Sequence, residues 1–261
     1  MLAITPTVRN LLILNILFYF IDSSVFELKN LFALSSVLSP KFHIFQFVSY
    51  MFLHGGFTHL LSNMFGLFMF GPLLERMWGP KRFLFFYFFT GIGAGLLFSG
   101  IDLIENLQVA KAVELFIQQP TPDGLADFLS KYAEPLYEPN LEFLNGFEGN
   151  PSNSVYIQQS IKLVQGFYAW SISIPMVGAS GAIFGILMAF GLLFPNTELF
   201  LLFVPFPIKA KYFVAFYGLY ELYSGIQNAQ SDNVAHFAHI GGMLFAYILL
   251  RYWGTQKTNF Y

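Results

Sequence analysis

Apolar and polar positions in this chain do not alternate. They run in long blocks separated by short polar clusters, and the apolar blocks fall at residues 8–28, 59–74, 83–101, 177–194, 212–226 and 234–253. A helix needs about 20 mostly apolar residues to cross a bilayer, so the pattern predicts six spanning helices. Residues 29–58 are apolar but broken by Ser35-Ser36, Ser39-Pro40, Lys41 and His43. They read as an interfacial loop of short helices, with Phe42, Phe45, Phe47, Tyr50 and Phe52 at headgroup depth. His54-Gly55-Gly56-Phe57-Thr58 is a turn into the second span, with Thr58 as its cap. Gly91 and Gly95 give the third span a small-residue face suited to close packing. Pro205 and Pro207 break residues 198–208, which are expected to lie along the interface or re-enter.

Residues 102–170 differ. They hold nine of the fifteen acidic residues against three lysines. An amphipathic helix is expected over 105–118, with Leu107, Ala110, Val113 and Ile117 on one side. A second helix starts at Thr121-Pro122-Asp123-Gly124, residues 145–153 have loop composition, and a third helix covers 154–170. The predicted organisation is therefore an all-α polytopic membrane bundle. Residues 1–101 hold the first three spans and the 29–58 loop, 102–170 form an acidic, water-exposed helical insertion, and 171–261 hold the last three spans.

Composition strengthens this reading. Of 261 residues, 56% are hydrophobic, 20% aromatic and 11% charged, against about 25% charged in average soluble domains. A net charge of −2 gives no footprint for nucleic acid, and the absence of cysteine removes disulfides and thiol chemistry. The first block has no small-residue cleavage site after it and reads as a retained helix rather than a cleaved signal. Six spans put both termini on one side, with Arg9, Arg76, Lys81, Arg82, Lys209, Lys211, Arg251 and Lys257. The other side has Lys29, Lys41, Lys111, Lys131 and Lys162, spread over longer loops. The positive-inside rule then places the termini in the cytoplasm and the insertion outside. A bacterial inner membrane is the simplest location.

Polar side chains inside spans are costly and point to function by default. The second, fourth and sixth spans all begin on the outer side. Near their starts they carry His59 and Asn63, Ser180, and His236 and His239. Ser180 lies in Gly178-Ala179-Ser180-Gly181. It is either a packing serine or a nucleophile, and a nucleophile needs a base and oxyanion donors. His239, followed by Gly241-Gly242, is the best base. Gly181/Gly185 and Gly242/Ala246 are small-residue faces that let their helices approach until Ser180 and His239 touch. No Asp stands at this depth in these helices, so a dyad is expected. The amide of Asn63, a ring N–H of His59 and the backbone N–H of Ser180 form a candidate oxyanion hole. No cofactor or metal is called for.

His59-Leu60-Leu61-Ser62-Asn63, Gly178-Ala179-Ser180-Gly181 and Ala238-His239-Ile240-Gly241-Gly242 resemble the three signatures of the rhomboid family of intramembrane serine proteases, in order, spacing and host helix. The stretches 47–56 and Glu75-Arg76-Met77-Trp78-Gly79 are also similar to that family. The resemblance covers residues 8–101 and 170–253. It implies cleavage of single-span membrane proteins near the outer membrane face, with Ser180 as nucleophile, His239 as base, and His59 and Asn63 as oxyanion donors. His54 matches a polar position near the family's site, where it either orders water or caps a turn. His236 is expected to face away from Ser180. Glu75 and Arg76 read as a structural ion pair or interface anchor. The 102–170 insertion departs from the family. It is either surface decoration or a contact for substrates or partners.

Two other classes remain open at this point. One is a catalytically silent, rhomboid-like protein that binds membrane clients. The other is a small transporter, which the absence of charged pairs within the spans and of repeat symmetry disfavours.

Overall fold

The computed structural model describes residues 4–24, 27–200, 206–227 and 235–254. The expected polar loop at 228–233, the start of the sixth span at Val234, Pro205 and Lys257 lie outside them. The chain folds as an all-α bundle. Its helices are α1 (Pro6–Ser24), α2 (Lys29–Phe32), α3 (Gln46–Ser49), α4 (Phe57–Trp78), α5 (Pro80–Gln118), α6 (Pro122–Tyr132), α7 (Leu141–Gly149), α8 (Ser154–Ser171), α9 (Ser180–Leu193), α10 (Ala210–Gln227) and α11 (His236–Trp253). A two-residue antiparallel ladder sets Glu198 opposite Lys209, where the sequence suggested an interfacial or re-entrant segment. Two described helices, α4 and α5, are long and apolar enough to cross a membrane, and α9 is apolar but only 14 residues long. Helix α9 starts late because Gly178 turns the chain with φ +129° immediately before it.

Helix α9 is the centre of the bundle and packs on α4, α5, α10 and α11. All its side chains except those of Ser180, Met188 and Leu192 are buried. Its neighbours come close because the facing residues are small. A Cβ on Gly242 of α11 would lie 1.8 Å from the carbonyl oxygen of Gly181, and a Cβ on Gly185 would meet Thr90 of α5 at 2.7 Å. The Gly91/Gly95 pair accommodates side chains of the segment before α4: Met51 packs on Gly91, and Phe47, Leu34 and Tyr50 on Gly95.

The 29–56 segment is therefore less superficial than its aromatic content suggested. Phe47 and Tyr50 are buried in the core, and Tyr50 donates its hydroxyl to the Gly91 carbonyl at 2.7 Å. Buried Gln46 organises the segment. Its amide donates to the carbonyls of Leu31 and Lys41, and its oxygen accepts from the N–H groups of Ser35 and His43. Backbone bonds then tie this segment to the approach to α9: Leu34 pairs with Met176, and Gly178 donates to the Tyr50 carbonyl. Thr58 does not cap α4, because Gly56 takes that position without a side-chain bond. Glu75 is an anchor of a specific kind. It accepts from the N–H groups of Thr7 and Val8 and from the Thr5 hydroxyl, closing the N-terminus of α1.

The third span and the first insertion helix expected from the sequence are one 39-residue helix, α5. At about 1.5 Å per residue it is about 58 Å long, roughly twice the hydrocarbon thickness of a bilayer. The polarity change at Asp102 marks a change of surroundings and not a helix end, since no proline interrupts the backbone there. Asn106 bonds back to the Asp102 carbonyl and carboxylate. The buried face of the extension is Val109, Val113 and Phe116. Leu107 and Ile117, expected on that side, are exposed. Helix α6 is capped by Thr121, which accepts from the Gly124 N–H. Helix α7 replaces much of the loop expected at 145–153, because burial of Leu144 and Phe147 outweighs the local Gly and Asn. With α8, these elements enclose a second apolar core that includes Leu125, Phe128, Leu129, Phe147 and Val164.

Candidate active site

Ser180 is the first residue of α9, where backbone N–H groups have no partner within the helix. Its hydroxyl lies 2.8 Å from Nε2 of His239. The contact joins helices whose backbones touch at Gly181 and Gly242, so short side chains suffice to bridge them. The His239 ring is held flat by Phe184, stacked on it with centroids 4.1 Å apart and planes 6° apart. Phe184 follows Ser180 by four residues, on the same face of α9.

Nδ1 of His239 lies 2.8 Å from Oε2 of Glu221, and Nδ1 of His236 lies 2.6 Å from the same oxygen. Glu221, on α10, is buried. A carboxylate from α10 thus meets His239, where the sequence offered none on the helices carrying His59, Ser180 and His239, and ionisable groups do pair between helices expected to span the membrane. His236, expected to face away from Ser180, converges with His239 on the same Glu221 oxygen. The missed signal was direction. Helix α10 runs opposite to α9 and α11, so its residue at this depth lies past its middle and not near its start. The three side chains also place one donor atom each within 4.8 Å of one another and can hold a metal ion.

His59 and Asn63 reach the same end of α9 from α4. Nδ1 of His59 accepts from the Gly55 N–H at 3.2 Å, which leaves the ring proton on Nε2. A Cβ on Gly178 would stand 2.8 Å from that Nε2 and 3.6 Å from Oγ of Ser180. His59 and Ser180 thus flank the space kept open by this glycine. Asn63 is buried, and its amide nitrogen has no hydrogen-bond partner among the described residues. An unpaired buried donor costs about 1–3 kcal/mol and is free to donate to an acceptor that enters the site. His54 is buried with its ring edge against His59, centroids 5.2 Å apart. Burial, and then neighbouring His59, pushes its pKa from 6.5 down to about 3.

A cavity of about 1060 Å³ adjoins this cluster. Lys131, Tyr132, Lys162 and Trp170, from the α6 and α8 side, line one wall, and Ser224, Gly225 and His236 line another.

The fold and site thus define an all-α bundle with a buried Ser–His–carboxylate line at the junction of α9, α10 and α11. The family model of the Rhomboid domain matches residues 41–107 and 152–255, and the chain belongs to the rhomboid family. The gap between the matched stretches, residues 108–151, falls within the stretch 102–170 expected to be inserted. The chain is 58% identical over 40 residues to the rhomboid protein YdcA of Bacillus subtilis, covering 15% of this chain and 20% of the relative. It is 26% identical over 200 residues to a mitochondrial rhomboid protein of Schizosaccharomyces pombe, covering 76% of this chain and 47% of the relative. It is 43% identical over 53 residues to chloroplastic Rhomboid-like protein 11 of Arabidopsis thaliana, covering 20% and 19%. The matches therefore span less than half the length of each of these relatives. Family membership supports a membrane location.

Proposed function

We propose that the protein is an intramembrane serine endopeptidase that cuts transmembrane segments near the outer membrane face. The observation that carries this reading is the 2.8 Å contact between the Ser180 hydroxyl and Nε2 of His239. Ser180 Oγ attacks the scissile carbonyl carbon while its proton passes to Nε2 of His239. The oxyanion is held by the Ser180 N–H, the His59 Nε2–H and the Asn63 amide. His239 returns the proton to the leaving amine as the C–N bond breaks. Water then attacks the acyl-serine, giving a proton to His239, and the ester bond breaks as Ser180 recovers its hydrogen.

In this reading α1, α4, α5, α9, α10 and α11 are six membrane helices with termini in the cytoplasm, in the simplest case of a bacterial inner membrane. The C-terminal part of α5 with α6–α8 stands outside. The substrates are single-span membrane proteins. They must unwind locally to offer a carbonyl, which favours helix-weakening residues near the outer face. The cavity shared by the insertion and His236 supports a role for residues 102–170 in contacting substrates or partners.

The test is cleavage in liposomes of a single-span peptide with Gly and Pro near its outer end. Wild type is expected to cut it, and Ser180→Ala and His239→Ala to leave it whole. Equal cleavage by wild type and Ser180→Ala removes the serine mechanism. Binding of the peptide without cleavage by folded wild type favours client binding.

A further inference from the structure

We propose that Glu221 is a positioning residue that completes a Ser180–His239–Glu221 relay, an inference that rests on reading Ser180 and His239 as nucleophile and base. The two contacts of His239 form a line: Oε2 of Glu221 at 2.8 Å from Nδ1, and Oγ of Ser180 at 2.8 Å from Nε2. A carboxylate accepts hydrogen bonds and does not donate them. It therefore selects the tautomer with the proton on Nδ1 and leaves the Nε2 lone pair for the serine proton. When His239 takes that proton it becomes a cation, and Glu221 is the negative charge beside it.

The location of Glu221 argues that this is more than helix packing. The buried face of α10 consists of Ala210, Val214, Glu221 and Gly225, with a carboxylate where an apolar side chain would pack as well. A buried charge is costly unless paired. Among the described residues no lysine or arginine pairs with Glu221, and both of its ion-pair contacts are imidazoles. The second, His236, shares the same oxygen at 2.6 Å and fixes the direction of the carboxylate. Phe184 stacks on the His239 ring and keeps it in plane with that direction. The ring is thus held from its Nδ1 side by α10 and from its face by α9.

The test uses the full-length protein in detergent with EDTA and a fluorophosphonate probe, and resolves the maximal rate of labelling from the half-saturating probe concentration. In the labelling step Ser180 Oγ bonds to phosphorus, fluoride leaves and His239 takes the proton. Glu221→Gln is expected to lower the maximal rate by about 10²–10⁴-fold, with half-saturation within about twofold of wild type. Glu221→Asp is expected to recover at least tenfold of that loss, because it restores the anion. A Glu221→Gln rate equal to wild type overturns the proposal. A change confined to half-saturation, or Asp no better than Gln, makes Glu221 a helix clamp and also overturns it. Loss of wild-type labelling in EDTA, restored by added Zn²⁺, makes the cluster a metal site and overturns it too. Wild type that stays unlabelled with or without metal overturns the serine-nucleophile reading itself.

Discussion

The bundle around Ser180 and the subdomain built from the end of α5 with α6–α8 are both helical, but they are held together differently. In the bundle, backbones touch. The carbonyl of Gly181 occupies the space where Gly242 would carry a Cβ, and Ala94 packs on Gly181. In the subdomain, side chains keep the helices apart, with Leu125, Leu129 and Phe147 fully buried between them. Side-chain packing stabilises a domain whose polar groups stay on its surface. Backbone contact does something further: it fixes the distance between two helices closely enough for a serine and an imidazole to share a proton. The contrast teaches that small residues at the centre of this molecule are positioning devices as well as packing ones.

The contrast is sharpest at glycine. Gly242→Val must push α11 away from α9, and a displacement of about 1 Å in a catalytic geometry can cost about 10²-fold. Labelling of Ser180 by a fluorophosphonate is expected to fall by at least that factor. Gly166→Ala in α8, where a Cβ meets nothing within 4 Å, is expected to leave labelling unchanged. Equal effects of the two substitutions would break the comparison. Asn63→Ala removes the unpaired amide donor and is expected to slow peptide cleavage by about 10²–10³-fold, read as a loss of kcat. Phe184→Leu frees the His239 ring. The stack is worth about 0.5–1.5 kcal/mol, so labelling is expected to slow by up to about tenfold. Leu129→Ala lies in the other core. It is expected to cost the subdomain about 2–5 kcal/mol, read by hydrogen exchange in α6 and α8, with labelling within twofold of wild type.

The smallest effect concerns pH. His54 is held neutral down to about pH 3, against an ordinary pKa of 6.5. Between these values the unfolded chain binds the extra proton, so the neutral His54 favours the fold above pH 6.5 and this contribution is lost as pH falls toward 3. His54→Gln removes that linkage. Its melting temperature in detergent is expected to drop less than that of wild type between pH 7 and 4.

Much of the site was legible because polar residues are conspicuous in apolar helices. Ser180, His239, His59 and Asn63 interrupt runs that otherwise suit a bilayer, and each stands near the start of its helix. Glu221 obeys the same logic but sits in the aromatic α10, counted from its other end. Phe184 gave no signal, since one phenylalanine among 34 cannot be singled out without knowing what it touches. The role of Gln46 was hidden for a related reason: its four partners are backbone groups spread over residues 31–43. The continuity of α5 and the existence of α7 were obscured because composition reports surroundings, whereas a helix ends only where its backbone is interrupted or its face loses a partner. The six-helix pattern is strongest in α4 and α5, the two described helices long and apolar enough to cross a membrane. It weakens in α1, α10 and α11, which carry residues such as Asn15, Glu221 and His239.

In the proposed mechanism His239 makes Ser180 nucleophilic across the α9–α11 contact. The most direct measurement is the rate of fluorophosphonate labelling of purified wild type and His239→Ala, with the modified residue located by mass spectrometry. Modification at Ser180 is expected in wild type, with a rate lower by about 10⁴–10⁶-fold in His239→Ala. Labelling of both proteins at the same rate, or no labelling of folded wild type, would contradict it.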